Sequence, residues 1–377
     1  MRIAYDAAPL LNARTGVGHY AATLLDRLLE LDPELWFSLF AITRQRDTSK
    51  VPQHERVSFR HVRIPARVAV TAWEHSGLAS GDKLLFGSQI GEADVVHGTN
   101  FWIPPIQSGT GAKGIVTIHD LTFWFYPELC TPQVRRYRWI VPKVLQRCAA
   151  VLVPSQTIKE QAAAELGFDG DRIVVTPEGV RNAFTGAVPD PVLTERLGVR
   201  GDYLLFVGTQ EPRKNLDRLI AAFARLGDKD LQLVIAGPPG WGSVDLPGVV
   251  RKLGLDGRVV FSGYLPDEQI GSLMAGARAF VFPTLYEGFG LPPLEAMAAG
   301  VPVVAARAGS LPEVLGDAPF WCDPLDVDSI AEAIGRAGDG EARASAVEQG
   351  RKRAASYDWR ATAELTLETY RRVAAGD

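Results

Sequence analysis

At 377 residues the chain is too long for one ordinary core and long enough for two domains of roughly 150–200 residues each. With 46% hydrophobic and 22% charged residues it has the composition of a soluble globular protein, and a net charge of −4 excludes a global attraction to nucleic acid. Three widely spaced cysteines, Cys130, Cys148 and Cys322, exclude a disulfide framework or a cysteine zinc site and suit a reducing cytoplasm.

The opening MRIAYDAAPLL reads as a first strand and not as a signal peptide. No run reaches the ~18 apolar residues of a membrane span, so the chain is expected not to cross a bilayer on its own. From there, short β-branched runs alternate with longer amphipathic stretches, the pattern of parallel strands joined by crossover helices. The first half has RIAYDA, WFSLFAIT, VSFRHVRI, ADVVHG, GIVTIHD, AAVLVPS and RIVVTPEG. TGVGHYA, after the first strand, places Gly16 and Gly18 before the helical run ATLLDRLLEL, where backbone amides could approach a phosphate. A dinucleotide site would want an acid at the end of the second strand, where the chain has RQRD. Eight residues also separate the first strand from Gly16, so a glycine loop facing a cleft is the better reading than NAD binding.

His97 closes ADVVHG and His119 ends GIVTIHD, just before Asp120. Each reads either as a core histidine or as part of a polar cleft wall, and their spacing is not that of a metal site. GTGAKG, at 109–114, precedes a strand and reads as a surface loop. The stretch 131–150 carries Arg135, Arg136, Arg138, Lys143 and Arg147 among Tyr137, Trp139, Ile140 and Val141. It is either a solvated helix face or a surface for an anionic membrane or lipid phosphate. Trp73, Glu74 and His75, within 72–87, are a further guess at an acceptor pocket.

RNAFTGAVPDPVLTERLGV has two prolines and no strong strand, and reads as a linker. The expected organisation is a first domain at 1–182, a linker at 183–198, a second domain at 199–357 and a closing amphipathic helix at 358–377. The second domain's strands read DYLLFVGT, LQLVIAG, RVVFSGY, AFVFPT and VPVVAA. In FVGTQEPRKNLDRLI, Arg213 and Lys214 stand at a helix start, opposing its dipole; they are either solvated or hold a phosphate. AFVFPT leads into LYEGFGLPPLEAMAAG, where Pro292 and Pro293 suit a first helical turn and Gly300 the cap. Gly288 and Gly290 allow the backbone to aim N–H groups at an anion, with Glu287 in the loop and Glu295 on the helix to either side. Carboxylates repel phosphate, so these two would accept hydrogen bonds from neutral sugar hydroxyls. For Glu295 alone, stabilisation of the helix start is the competing explanation. A diphosphate between hydroxyl-rich groups describes a nucleotide-sugar.

These residues resemble the retaining family-4 glycosyltransferases of GT-B fold. The resemblance is densest over 202–323, in FVGTQEPRKNL, RVVFSGYLPDEQI, AFVFPTLYEGFGLPPLEAMAAGVPVVAARAGSLPEV and DP. It extends thinly through TGVGHYAATLL, DVVHGTN, TIHDL and VPSQT. It implies an α/β protein of two doubly wound, Rossmann-like domains facing each other across a cleft, the first binding the acceptor and the second the nucleotide-sugar. By the same resemblance Glu295 holds the ribose, while Glu287 and the loop Gly288, Phe289, Gly290 and Leu291 contact the donor sugar and phosphates. Lys214 binds the diphosphate, Gly16 belongs to the glycine loop, and His119 approaches the donor sugar. Many members have an arginine where this chain has Thr209, and Arg213 is the candidate replacement. His97, Trp73 and Arg135 are candidates on the acceptor side.

The implied chemistry is transfer with retention, without cofactor or metal, the leaving diphosphate helping to accept the acceptor's proton. Its wording is closest to mannosyl- and related hexosyltransferases of surface-polysaccharide pathways, which points first to GDP-mannose and to a glycan or lipid-linked acceptor. No nucleic-acid partner is expected, and the location is cytoplasmic, with contact at the inner face of the membrane as an option. Competing functions are a glycosidase, a nucleotide-sugar epimerase on the same scaffold and a non-catalytic nucleotide-sugar-binding protein.

Overall fold

A computed structural model of the chain describes residues 1–376 except 12–15, 45–47, 64–89, 91, 105, 107–109, 243 and 339. The chain divides into two compact units, Met1–Phe125 with Pro132–Glu178 and Trp359–Asp377, and Tyr126–Thr131 with Gly179–Asp358.

Among the described residues, the first unit holds a seven-stranded parallel sheet in the order β3-β2-β1-β4-β5-β6-β7. The strands are β1 (Arg2–Asp6), β2 (Trp36–Ile42), β3 (Val57–Val62), β4 (Val95–Gly98), β5 (Lys113–Thr117), β6 (Cys148–Val153) and β7 (Ile173–Val175). They fall on the seven runs read from the sequence; all but β4 end earlier than read, and β5 and β6 start one residue sooner. Helix α1 (Gly16–Leu31) buries Leu24, Leu25 and Leu28 on one face, the 3.6-residue period that lets it pack on a sheet. The C-terminal helix Trp359–Ala375 packs beside α1 and buries Trp359, Ala363, Leu367 and Tyr370 in the same core. The segment 131–150 forms a short helix, Pro132–Arg135, and then α2 (Tyr137–Leu145), which buries Ile140, Val141, Val144 and Leu145.

In the second unit a six-stranded parallel sheet runs β10-β9-β8-β11-β12-β13 among the described residues. Its strands are β8 (Tyr203–Val207), β9 (Gln232–Ala236), β10 (Val259–Gly263), β11 (Ala279–Phe282), β12 (Val303–Ala306) and β13 (Phe320–Cys322). The helices that matter below are α3 (Leu216–Arg225), α4 (Asp267–Gly276) and α5 (Leu291–Ala298). β13, three residues long, went unread in the sequence. The stretch taken as a linker is also different in the structure. It forms a turn at Asn182–Phe184 and a helix at Pro191–Arg196, and buries Phe184 and Leu193 in the second unit's core. One division falls after Glu178, ahead of the expected linker, and another after Asp358, within one residue of the expected start of the closing helix.

Each sheet reverses its winding once, between β1 and β4 in the first unit and between β8 and β11 in the second. At such a switch point the flanking crossovers leave to opposite faces and open a crevice at the carboxyl ends of the strands, where open α/β sheets bind ligands.

Candidate functional site

The β8/β11 switch point gathers most of the residues singled out in the second half of the sequence. The loop after β8 ends at Asn215, held at φ +61°, a conformation non-glycine residues rarely adopt. Its side-chain amide donates to the Pro283 carbonyl at 2.9 Å and the Pro324 carbonyl at 2.7 Å, which fixes the turn. Arg213 and Lys214 are thereby set against the loop after β11. The Lys214 ammonium donates to Glu287 Oε1 at 2.6 Å, Arg213 lies 2.7 Å from the same oxygen, and the Thr284 hydroxyl is 3.0 Å away. Arg213 also pairs with Glu211 at 2.7 Å. Burial alone would raise the Glu287 pKa, but the charges of Arg213 and Lys214 outweigh it and hold the carboxyl at about 2. Glu287 is therefore ionised, and both cations are ordered around it.

Beside this cluster the chain enters α5. Gly290 has φ +104°, and a Cβ there would come within 2.3 Å of Leu311 Cδ2, so the turn demands glycine. Phe289, Gly290 and Leu291 are buried, yet their amides donate to no protein acceptor among the described residues. Buried N–H groups are nearly always paired, so three in succession at the start of α5, in the loop that carries Glu287, are candidate donors to an anion. Pro292 and Pro293 have no N–H to offer, which confines the donors to the turn itself. Thr209 follows β8 by two residues and is half-buried.

Glu295 is held apart from Glu287 by a different partner. Both its oxygens accept from Arg181, Nε to Oε1 at 2.6 Å and Nη2 to Oε2 at 2.9 Å, and Arg181 also meets Asp267 at the start of α4 at 2.6 Å. Burial works against the Arg181 charge, but Glu295 and Asp267 more than offset it and raise the guanidinium pKa. Arg181 was not anticipated, because a lone arginine in a proline-flanked stretch has no periodic or motif context.

In the first unit, His119 lies two residues past β5. Its Nε2 is 2.8 Å from the Thr99 carbonyl, an acceptor only, so Nε2 carries the proton. Nδ1 is turned toward Glu178 Oε1 at 3.8 Å, and the Tyr20 ring meets the imidazole edge-on at 4.8 Å. Glu178 was not anticipated, although PEG at the end of a strand run is its signal. Gly16 is the first residue of α1 and is exposed; a Cβ there would meet nothing within 4 Å among the described residues.

Some expected contacts are not on any surface. His97 is wholly buried, with Nδ1 2.6 Å from the Tyr370 hydroxyl and Nε2 2.8 Å from Thr117 Oγ1. Burial, reinforced by His119, lowers its pKa to about 3. It is a neutral core histidine, which corrects its reading as an acceptor contact. The Phe289 ring packs edge-on against Tyr357 at 5.5 Å, so only its backbone is a candidate donor to an anion. Arg135 is exposed at the end of the short helix Pro132–Arg135. Trp73, with Glu74 and His75, lies outside the described residues.

Two parallel-sheet, doubly wound domains are the GT-B architecture of glycosyltransferases. The family model "Glycosyl transferases group 1" matches residues 195–353, and "Glycosyltransferase Family 4" matches residues 14–184. The O-antigen chain mannosyltransferase B of Escherichia coli is 30% identical over 385 residues, covering 98% of this chain and 100% of that protein. The MMP alpha-(1->4)-mannosyltransferase of Mycolicibacterium hassiacum is 33% identical over 253 residues, covering 65% of this chain and 60% of that protein. Among solved structures, sucrose-phosphate synthase from Thermosynechococcus elongatus superposes with a TM-score of 0.80 at 21% identity, covering 100% of both chains. Anabaena HepE in complex with UDP and glucose gives 0.74 at 21% identity, covering 98% of this chain and 99% of that one. The chain belongs to the family-4, group 1 glycosyltransferases and is an enzyme of glycosyl transfer. No helix among the described residues is long and apolar enough to cross a membrane.

Proposed function

We propose that the protein transfers a hexosyl group, in first place mannosyl from GDP-mannose, to a hydroxyl of a glycan or lipid-linked acceptor, with retention and without a metal or other cofactor. The cations and amides at the β8/β11 switch point, taken as a cradle for an anion, carry this reading. In the resting arrangement Arg213 and Lys214 balance Glu287 and Glu211, and an incoming diphosphate shares those cations while the Phe289, Gly290 and Leu291 amides supply neutral donors. As the sugar–phosphate bond breaks, negative charge grows on the leaving diphosphate, and donors already fixed in place stabilise it without reorganising. The leaving phosphate oxygen accepts the acceptor's proton. Glu287, ionised and buried, accepts from a hydroxyl of the donor sugar. Glu295, anchored by Arg181, accepts from the ribose through its remaining lone pairs. His119 is the first unit's residue for sugar contact.

The mannosyl assignment draws on the two mannosyltransferases reported above, and the nucleotide-sugar donor is supported by the cradle and by UDP and glucose bound to HepE. A glycosidase has no use for an amide and cation cradle, and the family membership favours transfer over epimerisation or passive binding.

We also propose peripheral contact with an anionic membrane. Trp139 on α2 is 70% exposed, and Arg135, Arg138 and Lys143 are exposed around it while the opposite face of α2 is core. A large aromatic among cations suits a headgroup layer. The test of the transfer reading is incubation with GDP-mannose, UDP-glucose or ADP-glucose and a bacterial glycan acceptor, with the product anomer read by NMR. An α-linked product from the α-linked donor is expected. A β-linked product, or sugar released only to water, contradicts it.

A further inference from the structure

The first unit has a switch point of its own, and its chemistry is unlike that of the second. β1 ends at Asp6 and β4 is followed by Thr99; the Thr99 hydroxyl donates to the Asp6 carbonyl at 2.9 Å, and the Thr99 carbonyl receives His119. Asp6 and His119 thus flank one residue at the carboxyl end of the sheet. Asp6 is 7% exposed, and its Oδ1 accepts from the Ala8 amide at 2.9 Å. Its Oδ2 has no protein partner among the described residues, and no cation pairs with it there. Desolvation dominates the environment of Asp6 and raises its pKa to about 7.

A buried carboxyl without a counter-ion is unfavourable, and asparagine would cap the Ala8 amide without that penalty. Such groups concentrate where a protein meets its ligand. The surroundings agree. Phe101 sits at φ +59°, the second of two positive-φ non-glycine residues among those described, and sparsely populated backbone of this kind clusters at binding sites. Its ring stacks on Tyr137 at 5.1 Å, and Phe123 closes the group edge-on at 5.7 Å from Phe101. Burial, and after it the Asp6 charge, raise the Tyr137 pKa, and its hydroxyl has no hydrogen-bond partner among the described residues. Asn100 Oδ1, next to Thr99, is also buried without a partner there.

We propose that Asp6 and Tyr137 form a sugar-hydroxyl subsite at the β1/β4 switch point, which takes a ring of the acceptor. The Asp6 carboxylate accepts from a ring hydroxyl, the Tyr137 hydroxyl donates to or accepts from a neighbouring one, and the aromatic cluster walls the pocket. A phosphate would be repelled by Asp6. A metal ion would want three or more protein ligands, and no such group of His, Cys, Asp and Glu forms among the described residues. A neutral, hydroxyl-rich ligand is what remains for a lone carboxylate beside aromatic rings.

The assignment rests on the transferase reading, so the test separates the two. Saturation-transfer NMR is run with methyl α-mannoside, methyl glucoside, methyl galactoside and methyl N-acetylglucosaminide on wild type, Asp6→Asn, Asp6→Ala and Tyr137→Phe, with GDP and UDP binding measured on the same samples. The expected result is a glycoside signal in the wild type that falls at least tenfold in both Asp6 variants and severalfold in Tyr137→Phe, with nucleotide affinity unchanged. Unchanged nucleotide binding together with a glycoside signal insensitive to Asp6, or with no glycoside signal at all, overturns the subsite alone. Loss of all nucleotide binding in the wild type overturns the transferase reading instead. Asp6→Asn keeps the shape and the Ala8 bond, so a folded variant is assured by a thermal transition no lower than wild type.

Discussion

Lys214 Nζ lies 2.6 Å from Glu287 Oε1, a cation from the β8 loop joined to a carboxylate from the β11 loop across the switch point of the second sheet. Neither side chain is more than slightly exposed, so each supplies the counter-charge without which the other would be costly to bury. Lys214 is thus ordered before any substrate arrives, with its charge already desolvated. Replacing it by alanine removes one charged contact to a diphosphate, on the order of 1.5–3 kcal/mol, or about tenfold to a hundredfold in affinity. Titration calorimetry with the nucleoside diphosphate checks this, and unchanged affinity would remove Lys214 from the site.

The acid limb of the stability curve should report Glu287. Its folded pKa of about 2 lies below the ordinary carboxylate value, so its contribution is complete above about pH 4.5 and is lost as pH falls toward 2. At about 1.4 kcal/mol per pH unit the amount is on the order of 3 kcal/mol. Urea unfolding at pH 5 and pH 3 should show a smaller drop in Glu287→Gln than in wild type. At pH 7 the same variant should be the less stable protein, because Arg213 and Lys214 lose their counter-charge.

Asp6 should behave with the opposite sign. Its folded pKa of about 7 lies above the unfolded value, so the folded state holds the proton more tightly and stability declines as pH rises from about 4 to 7. Above pH 7 the penalty is fully present. Asp6→Asn should therefore be more stable than wild type at pH 8 by about 2–4 kcal/mol, with little difference at pH 4. Denaturant midpoints at the two pH values decide it, and equal differences at both would refute the assignment.

Arg181 and Glu295 should be strongly coupled. Removing Glu295 leaves Arg181 with Asp267 as its counter-charge, removing Arg181 takes the bidentate guanidinium from a buried carboxylate at about 3–5 kcal/mol, and removing both spares that second cost. A cycle of Arg181→Met, Glu295→Leu and the double variant should give a coupling energy of about 1–3 kcal/mol by urea unfolding. Additive effects would mean that the bidentate geometry carries no energy.

The α2 face should bind anionic vesicles at low salt and release them as salt rises, since each cation near the surface contributes only ~1 kcal/mol and is screened. Co-sedimentation with phosphatidylglycerol vesicles checks this, with Trp139→Ala and Lys143→Glu each weakening it. Binding that persists in 0.5 M salt, or none at low salt, is the contrary outcome.

What the sequence revealed and concealed follows from the range of the signals. The central strands announced themselves because parallel strands buried on both faces are continuous apolar runs, and the edge strands β3 and β10, only partly buried, through their valines and phenylalanines. β13 did not, since FWC between two Asp- or Pro-containing turns is too short to show a period. Pro189 and Pro191 imitated a linker, but Phe184 and Leu193, only a few residues away, are buried in the second core. The Glu287 loop was legible through its glycines and prolines, whose backbone demands are local. Arg181 was not, because its partner Glu295 is 114 residues away and only the fold brings them together. His97 and His119 looked equivalent as strand-end histidines. They differ because Tyr370, from the other end of the chain, closes over His97.

Thermal unfolding is the measurement that reads a nucleoside diphosphate site at the β8/β11 switch point. GDP, UDP, ADP, GDP-mannose, UDP-glucose and NAD would each be added at saturating concentration to wild type and to Lys214→Ala. A ligand at about 100 times its dissociation constant adds about 2.7 kcal/mol, a shift of several degrees at this size. One nucleoside diphosphate and its sugar, GDP and GDP-mannose first, should raise the wild-type transition, with the shift much reduced in Lys214→Ala. Stabilisation by NAD alone, or no shift with any nucleotide, would rule that site out.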